Sequence, residues 1–282
     1  LELQTEPGLK THLEQATVTG LFYYPIKSCG GWQVEEAELT ETGLKHDREL
    51  MVVDPDNHVL TQRELARMAL IKPRIEGDYL RVEAPGMATL ETLLIKEGPQ
   101  KAAVIWDDTC QTVDQGDEVA NWFSEFLNTE ARLVRMAPDF KRTLDPKYSL
   151  SQQDHTNFAD GYPLLLISEE SLEDLNSRLH EPLPMNRFRP NLVIKGSGIP
   201  FTEDKLKRIQ IGEVVLDIVK TCARCAITTT DQETTLRGKE PLRTLATYRR
   251  DAKGGVIFGQ NVIHENTGTL RVGERLKVLE LK

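Results

Sequence analysis

Apolar residues recur along this chain in short alternating bursts, and only one stretch of the first half carries a sustained helical period. From Ala16 onward the bursts predict strands over residues 18–24, 33–39 and 50–53, followed by the turn formers Asp54, Pro55, Asp56 and Asn57 and a further short strand at Val59 and Leu60. Residues 117–127 break this habit. There Val119, Ala120, Trp122, Phe123, Phe126 and Leu127 share one helix face, with Asp117 as the candidate cap, so one amphipathic helix closes a β-rich first half.

Between about residues 137 and 159 large apolar residues thin out and the chain turns polar, which predicts a linker or long surface loop. The domain boundary is set there, giving an N-terminal β domain of residues 15–137 and a second domain of residues 138–282. The second half predicts a strand at 164–167 and a helix at 172–179. Ser168 caps that helix with Ser171 at its third position, while Glu170 lies one residue short of a capping box. Strands follow at 192–194, 208–211, 214–219 and 226–230, then a helix at 241–248 with Pro241 in its first turn, and closing strands around Val262 and at 272–279. Ile211-Gly212-Glu213 and Val272-Gly273-Glu274 both read as hairpin turns. Many short strands without regular helical crossovers predict a β-rich α+β protein built on a barrel, not a parallel βαβ sheet.

Composition narrows the function classes. The 282 residues, 39% of them apolar, suffice for a packed core without staples. Forty-four acids against 35 bases give a net charge of -9, which argues against a nucleic-acid backbone or an anionic membrane as the main partner and makes any anion site a local feature. Four cysteines, at 29, 110, 222 and 225, are too few for a disulfide framework and suit a reducing, cytoplasmic setting. No apolar run approaches the roughly 18 residues of a membrane span, so none is expected; because the sequence does not begin with Met, a removed leader or anchor stays open.

The candidate chemistry centres on Cys222-Ala223-Arg224-Cys225, where two thiols and a guanidinium leave a strand. A thiolate there could ligate a soft metal, attack an electrophile or exchange disulfides, and the cation favours the ionised form of a thiol whose free pKa is about 8.5. Structural zinc lacks its second pair of ligands, and a thioredoxin-type site needs a helix where the β-branched Ala-Ile-Thr-Thr-Thr predicts a strand. Burial of both cysteines as small hydrophobes remains the bland alternative. Cations beside turn formers recur elsewhere: Lys27-Ser28-Cys29-Gly30-Gly31, whose glycines could bring backbone N–H groups to an oxyanion, Asp47-Arg48, and Phe188-Arg189-Pro190-Asn191; Phe258-Gly259-Gln260-Asn261 adds two amides. Each alone is more readily a solvated surface charge or a loop-stabilising residue than a ligand contact, and the signal is their joint occurrence.

Taken in order, Tyr-Pro-Ile-Lys-Ser with Asp47-Arg48, Asp160-Gly-Tyr-Pro, Phe-Arg-Pro-Asn, Cys-Ala-Arg-Cys-Ala-Ile-Thr-Thr-Thr-Asp, Gly238-Lys-Glu-Pro-Leu-Arg-Thr-Leu and Phe-Gly-Gln-Asn resemble the motif set of MOSC proteins, and among them the amidoxime-reducing component branch. The resemblance runs from about Thr17 to Leu281. It implies an N-terminal β domain packed on a C-terminal MOSC β-barrel, and a molybdenum cofactor (molybdenum bound by molybdopterin) in a cleft between motifs of both halves. By motif matching Cys225 is the metal ligand, Lys27, Ser28, Arg48, Arg189 and Arg224 contact the pterin and its phosphate, and Asn191 and Asn261 are amide partners. A phosphate monoester of about −1.5 to −2 charge suits such cations.

The implied activity is reduction of N-hydroxylated compounds (amidoximes, N-hydroxyguanidines, hydroxylated nucleobases) by oxygen transfer from N–OH to molybdenum. Asp160 is a candidate for proton handling, against the plainer reading that it caps its loop. The implied electron donor is a separate protein, either a b-type cytochrome with a flavin reductase or a flavin/iron–sulfur protein, since no ferredoxin-type cysteine cluster follows the last motif. Gly161-Tyr162 departs from the Thr-Ser of these proteins, Ala223 from a serine, and Asn261 from a tyrosine. Cys222 is read as packing, with a Cys222–Cys225 disulfide as the minor alternative. A cofactor carrier or sulfur-transfer partner is the competing function, because MOSC domains also end molybdenum-cofactor sulfurases, whose pyridoxal-phosphate domain these 282 residues cannot hold beside the motifs.

Overall fold

The computed structural model describes residues 6–282. Its organising element is a curled eight-stranded sheet, in the spatial order Trp32–Val34, Thr17–Tyr23, Leu192–Lys195, Leu164–Ser168, Ile257–His264, Val214–Ala223, Leu206–Ile211 and Leu276–Leu281. All neighbours run antiparallel except the pair 164–168 and 192–195, which is parallel. Alternation explains its core: Val214, Leu216 and Ile218 point inward from one strand and meet Leu166, Leu192 and Val262. Burying each such side chain stabilises the fold by about 1.5–3 kcal/mol. The first two strands of the chain therefore belong to a sheet whose other six strands come from the second half.

The first half adds a four-stranded sheet, ordered Leu50–Val53, Arg132–Met136, Asp108–Asp114, Gln100–Ile105, and a three-stranded one of Lys72–Glu76, Tyr79–Glu83 and Leu90–Leu93. The predicted helix is present at Asp117–Leu127, burying Trp122, Phe123 and Phe126, but Gly116 occupies its cap position and Asp117 pairs with Arg132 at 2.8 Å instead. A second core, including Ile26, Cys29, Leu50 and Phe123, lies beneath this helix. A short helix, Glu6–Leu13, precedes the first strand; the hydrophobic pattern gave no expectation there.

Several elements differ from the sequence-based expectation. The strand at 33–39 splits at Glu35, because Trp32–Val34 pairs with 17–23 while Glu36–Thr40 pairs with Gly268–Arg271. Gly212 does make a hairpin, with Ile211 opposite Val214 and a φ of 56° that favours glycine. Gly273 does not: the strands flanking it pair in different sheets, so it turns a corner, its N–H donating to Val18 O at 2.7 Å. The strand expected at 226–230 is a 3₁₀ turn, Ala226–Thr229. Its threonine hydroxyls bond backwards, Thr228 to Cys225 O at 3.0 Å and Thr229 to Ala226 O at 2.7 Å, holding a turn that β-branching alone disfavours. The helix at 241–248 shrinks to Leu242–Leu245, and that at 172–179 begins earlier, as Glu169–Ser177, with Ser168 capping it through the Ser171 N–H at 3.2 Å. The polar stretch at 137–159 is irregular apart from the two-residue pair Arg142–Thr143 and His155–Thr156.

Candidate functional site

Loops from both halves meet over the sheet to form one cleft with about 730 Å³ of atom-free space, counting the part open to solvent. All nine residues singled out from the sequence line it: Lys27, Ser28, Arg48, Asp160, Arg189, Asn191, Arg224, Cys225 and Asn261. Three of them, Ser28, Arg48 and Arg189, hold left-handed backbones with φ of 65°, 48° and 53°. Such conformations cost non-glycine residues about 1–3 kcal/mol each and persist where surrounding contacts over-determine them, as these contacts do.

Lys27 leaves the first strand and is pinned by its N–H to Leu50 O at 2.8 Å. Its buried ammonium donates to Phe158 O at 2.9 Å and to Asp160 Oδ1 at 2.5 Å. Burial lowers the lysine pKa, and Asp160 opposes that fall. Asp160 lies at the cleft mouth with its side chain 64% exposed. The protein atoms crowded along the inner side of Asp160 work to raise its carboxyl, but Lys27, then Arg48 and Arg63, outweigh this and hold it below the usual carboxylate range. Its carboxylate thus pairs with a cation and stays ionised at neutral pH.

Arg48 is gripped by Asp47, its Nη1 reaching both carboxylate oxygens at 2.9 and 2.6 Å, and by Asn191 Oδ1 at 3.1 Å. Tyr24, buried beneath, carries the Arg48 guanidinium 4.3 Å and the Arg189 guanidinium 4.1 Å from its ring centre, and donates its hydroxyl to Pro190 O at 3.1 Å. Arg189 Nη1 donates to Cys29 O at 2.6 Å, while its Nη2 is buried without a partner. Burial, followed by the charge of Arg48, pushes the Arg189 pKa down to about 10. Arg224 donates from Nη2 to Phe188 O at 2.6 Å and from Nη1 to Cys222 Sγ at 3.0 Å; its buried Nε is also unpartnered.

The thiols flank this cation. Cys222 ends the strand Val214–Ala223 and Cys225 starts the 3₁₀ turn; both are half-buried and face the cleft, so Cys222 is not the enclosed packing residue expected from the sequence. Cys29 and Cys110 are buried, which pushes their thiols up to about 12 and about 11 respectively. Among the described residues no three His, Cys, Asp or Glu side chains gather as a metal site. A metal in this cleft would take its protein ligands from the thiols and the rest of its shell from a bound group.

Asn191 and the glycines of the Lys27 loop carry structural duties. Asn191 lines the cleft with its amide oxygen committed to protein: Oδ1 accepts from Arg48 and from Leu165 N–H at 3.2 Å, while Nδ2 donates one of its two hydrogens to Phe22 O at 3.1 Å. It holds Arg48 in place. Neither glycine of the Lys27 loop lines the cleft: Gly30 N–H donates to Ile71 O at 2.8 Å, and a Cβ at Gly31 would run into the Tyr24 ring. Asn261 keeps only a 3.3 Å bond from Nδ2 to Thr221 O. Tyr24 and Tyr162 were missed by sequence reasoning, although both sit inside quoted motifs.

This arrangement fits a strongly anionic guest. Lys27, Arg48, Arg189 and Arg224 face two carboxylates, Asp47 and Asp160, and two buried guanidinium nitrogens lack acceptors. Leaving such donors unsatisfied costs about 1–3 kcal/mol each, which a phosphate oxygen would recover.

Residues 15–130 match the MOSC N-terminal beta barrel domain and residues 153–277 the MOSC domain. Mitochondrial amidoxime reducing component 2 of Rattus norvegicus is 37% identical over 96% of this chain and 86% of its own length, and mitochondrial amidoxime-reducing component 1 of Mus musculus is 36% identical over 98% and 86%. Molybdenum cofactor sulfurase of Oryza sativa subsp. japonica is 34% identical over 85% of this chain but 31% of its own length. With its paired N-terminal barrel and MOSC domains, the chain belongs to the MOSC-domain family that includes the mitochondrial amidoxime-reducing components.

Proposed function

We propose that this protein is a molybdenum-dependent oxidoreductase that reduces N-hydroxylated compounds such as amidoximes, N-hydroxyguanidines and hydroxylated nucleobases. The observation that carries the proposal is the meeting of Cys225 with unpartnered guanidinium donors in one cleft, in a chain so similar to amidoxime-reducing components. In the family a molybdenum cofactor occupies such a site. Here Cys225 would ligate the metal, and Lys27, Ser28, Arg48, Arg189 and Arg224 would hold the pterin and its phosphate, with Asn261 available as an amide partner. Bound there, the cofactor supplies a metal able to accept oxygen from an N–O bond and to relay two electrons from a separate donor protein.

The chain's own residues bind and orient. Arg48 and Arg189 are held over Tyr24 by contacts within the protein, which keeps the ordering cost of binding an anion small. Converting N–OH to N–H and water consumes two protons. Asp160, held ionised, serves as an acceptor that aligns a substrate N–H or O–H, and protons enter from solvent at the open mouth beside it. A b-type cytochrome with its flavin reductase, or a flavin or iron–sulfur protein, fits the donor role. Four unpaired cysteines suit a reducing compartment, and we place the protein in the cytoplasm on that ground.

A second reading, a cofactor carrier or sulfur-transfer partner, draws on the second thiol at the cleft, Cys222, and on the likeness to the rice sulfurase. The deciding experiment is anaerobic purification from a host that makes molybdopterin, with molybdenum quantified and benzamidoxime reduction assayed with a reduced dye. Molybdenum with turnover supports the reductase, molybdenum without turnover supports the carrier, and absence of molybdenum refutes both.

A further inference from the structure

A glycine is required where φ is positive or where another atom crowds its Cβ. Of the glycines with ordinary φ between Gly20 and Gly268, only Gly161 has no atom within 4 Å of where a Cβ would lie. Neither reason applies to it, yet it lines the cleft between two residues that are both held firmly. On one side Asp160 is tied to Lys27 at 2.5 Å. On the other, Tyr162 meets the edge of Tyr148, with ring centres 6.3 Å apart and planes at 78°, and the Lys220 ammonium lies 4.7 Å from the Tyr148 ring centre and 5.8 Å from that of Tyr162. Such a pair of rings under one cation is worth about 0.5–1.5 kcal/mol beyond burial and fixes the Tyr162 plane. The Tyr162 hydroxyl is buried and has no hydrogen-bond partner.

We propose that the gap at Gly161 and the ring of Tyr162 together set substrate specificity, admitting flat, ring-bearing N-hydroxylated compounds whose ring lies along Tyr162 while the N–OH end reaches toward Cys225. Gly161 supplies the width and Tyr162 the apolar wall. Lys220 and Tyr148 do not line the cleft and pack against Tyr162. This rests on the reductase reading.

The test compares benzamidoxime with acetamidoxime, which lacks the ring, in wild type, Gly161→Val and Tyr162→Ala. Gly161→Val fills the gap, and the ratio of the benzamidoxime KM to the acetamidoxime KM rises about tenfold, with molybdenum per chain as in wild type. Tyr162→Ala raises the same ratio about fivefold. Equal shifts for both substrates overturn the proposal, and so does loss of molybdenum from Gly161→Val, which would assign the gap to the cofactor. If wild type reduces neither compound, the reductase reading falls separately, and calorimetric binding of benzamidine decides the gap: weakening of about tenfold in Gly161→Val sustains it, and unchanged binding refutes it. Gly161→Ala, which adds one methyl group at a position of ordinary φ, provides a folding control.

Discussion

Arg189→Ala tests the anion cradle directly. The side chain it removes has one nitrogen committed to Cys29 O and one buried without an acceptor. If the free nitrogen waits for a phosphate oxygen, its loss forfeits one charge-assisted hydrogen bond, about 1.5–3 kcal/mol, or roughly 10- to 150-fold in affinity. Lys27, Arg48 and Arg224 remain, so binding weakens and is not abolished. Stability should change far less. The substitution strands the Cys29 carbonyl, at about 1 kcal/mol, but also removes a buried cation 4.1 Å from a ring it shares with Arg48, whose repulsion disfavours Arg189. The assay is calorimetric titration of inorganic pyrophosphate into cofactor-free protein at about 0.15 M salt, where buried charges are little screened, together with pterin retention after gel filtration. Arg189→Lys, which keeps the charge and loses the fork, should fall between wild type and Ala. Pyrophosphate affinity and pterin retention equal to wild type in a folded Arg189→Ala protein would refute the reasoning.

Other outcomes follow from the same geometry. Cys225→Ala should abolish benzamidoxime turnover with the melting temperature within a few degrees of wild type, whereas Cys222→Ala should retain turnover; an active Cys225→Ala protein would exclude the metal-ligand role. Asp47→Ala leaves Arg48 uncompensated among further cations, and the loss of a pair whose side chains are 3% and 13% exposed should cost about 3–5 kcal/mol in urea denaturation, with an unchanged midpoint counting against it. Glu49 is mostly buried, which works to raise its pKa, but His46 and Arg135 outweigh this and bring it down to about 2. Its stabilisation, about 3 kcal/mol, is present above the ordinary carboxylate pKa and is lost as pH falls from about 4.5 toward 2. Glu49→Gln should therefore flatten the acid limb of the stability profile; a slope like that of wild type would contradict the assignment.

The sequence announced the site more fully than the fold. Residues such as Arg189 and Cys225 stand out because loop motifs join unusual types to turn formers, and the chain gathers them wherever their strands end. Their duties were less visible. Asn191 serves Arg48, and the glycines after Ser28 serve Tyr24 and Ile71, through contacts that depend on distant segments. Lys72–Glu76 and Tyr79–Glu83 escaped notice because each buries only two residues in a charged, five-residue alternation, and pairing with a neighbour supplies what pattern does not. At Ala226–Thr229 the β-branched composition misled, since hydroxyl bonds to the preceding turn overrode strand preference. The switch of sheets at Glu35 and at Gly273 leaves no periodic trace, because alternation continues on both sides of each corner.

The contacts that close the cleft join residues far apart in the chain: Lys27 to Phe158 across 131 positions, Arg48 to Asn191 across 143, and Cys29 to Arg189 across 160. During synthesis the residues of the first jaw emerge long before the segments that hold them in place, so a guest that needs both jaws can be captured only after the strands of the second half have joined the sheet. Capture would then act as a folding checkpoint. A chain damaged in either half would forfeit a guest bound there, and a sound one would be stabilised by it, since a ligand bound only by the native state stabilises that state by an amount that grows with the logarithm of its concentration over its dissociation constant. Retention of the guest thereby reports the integrity of regions that never touch it.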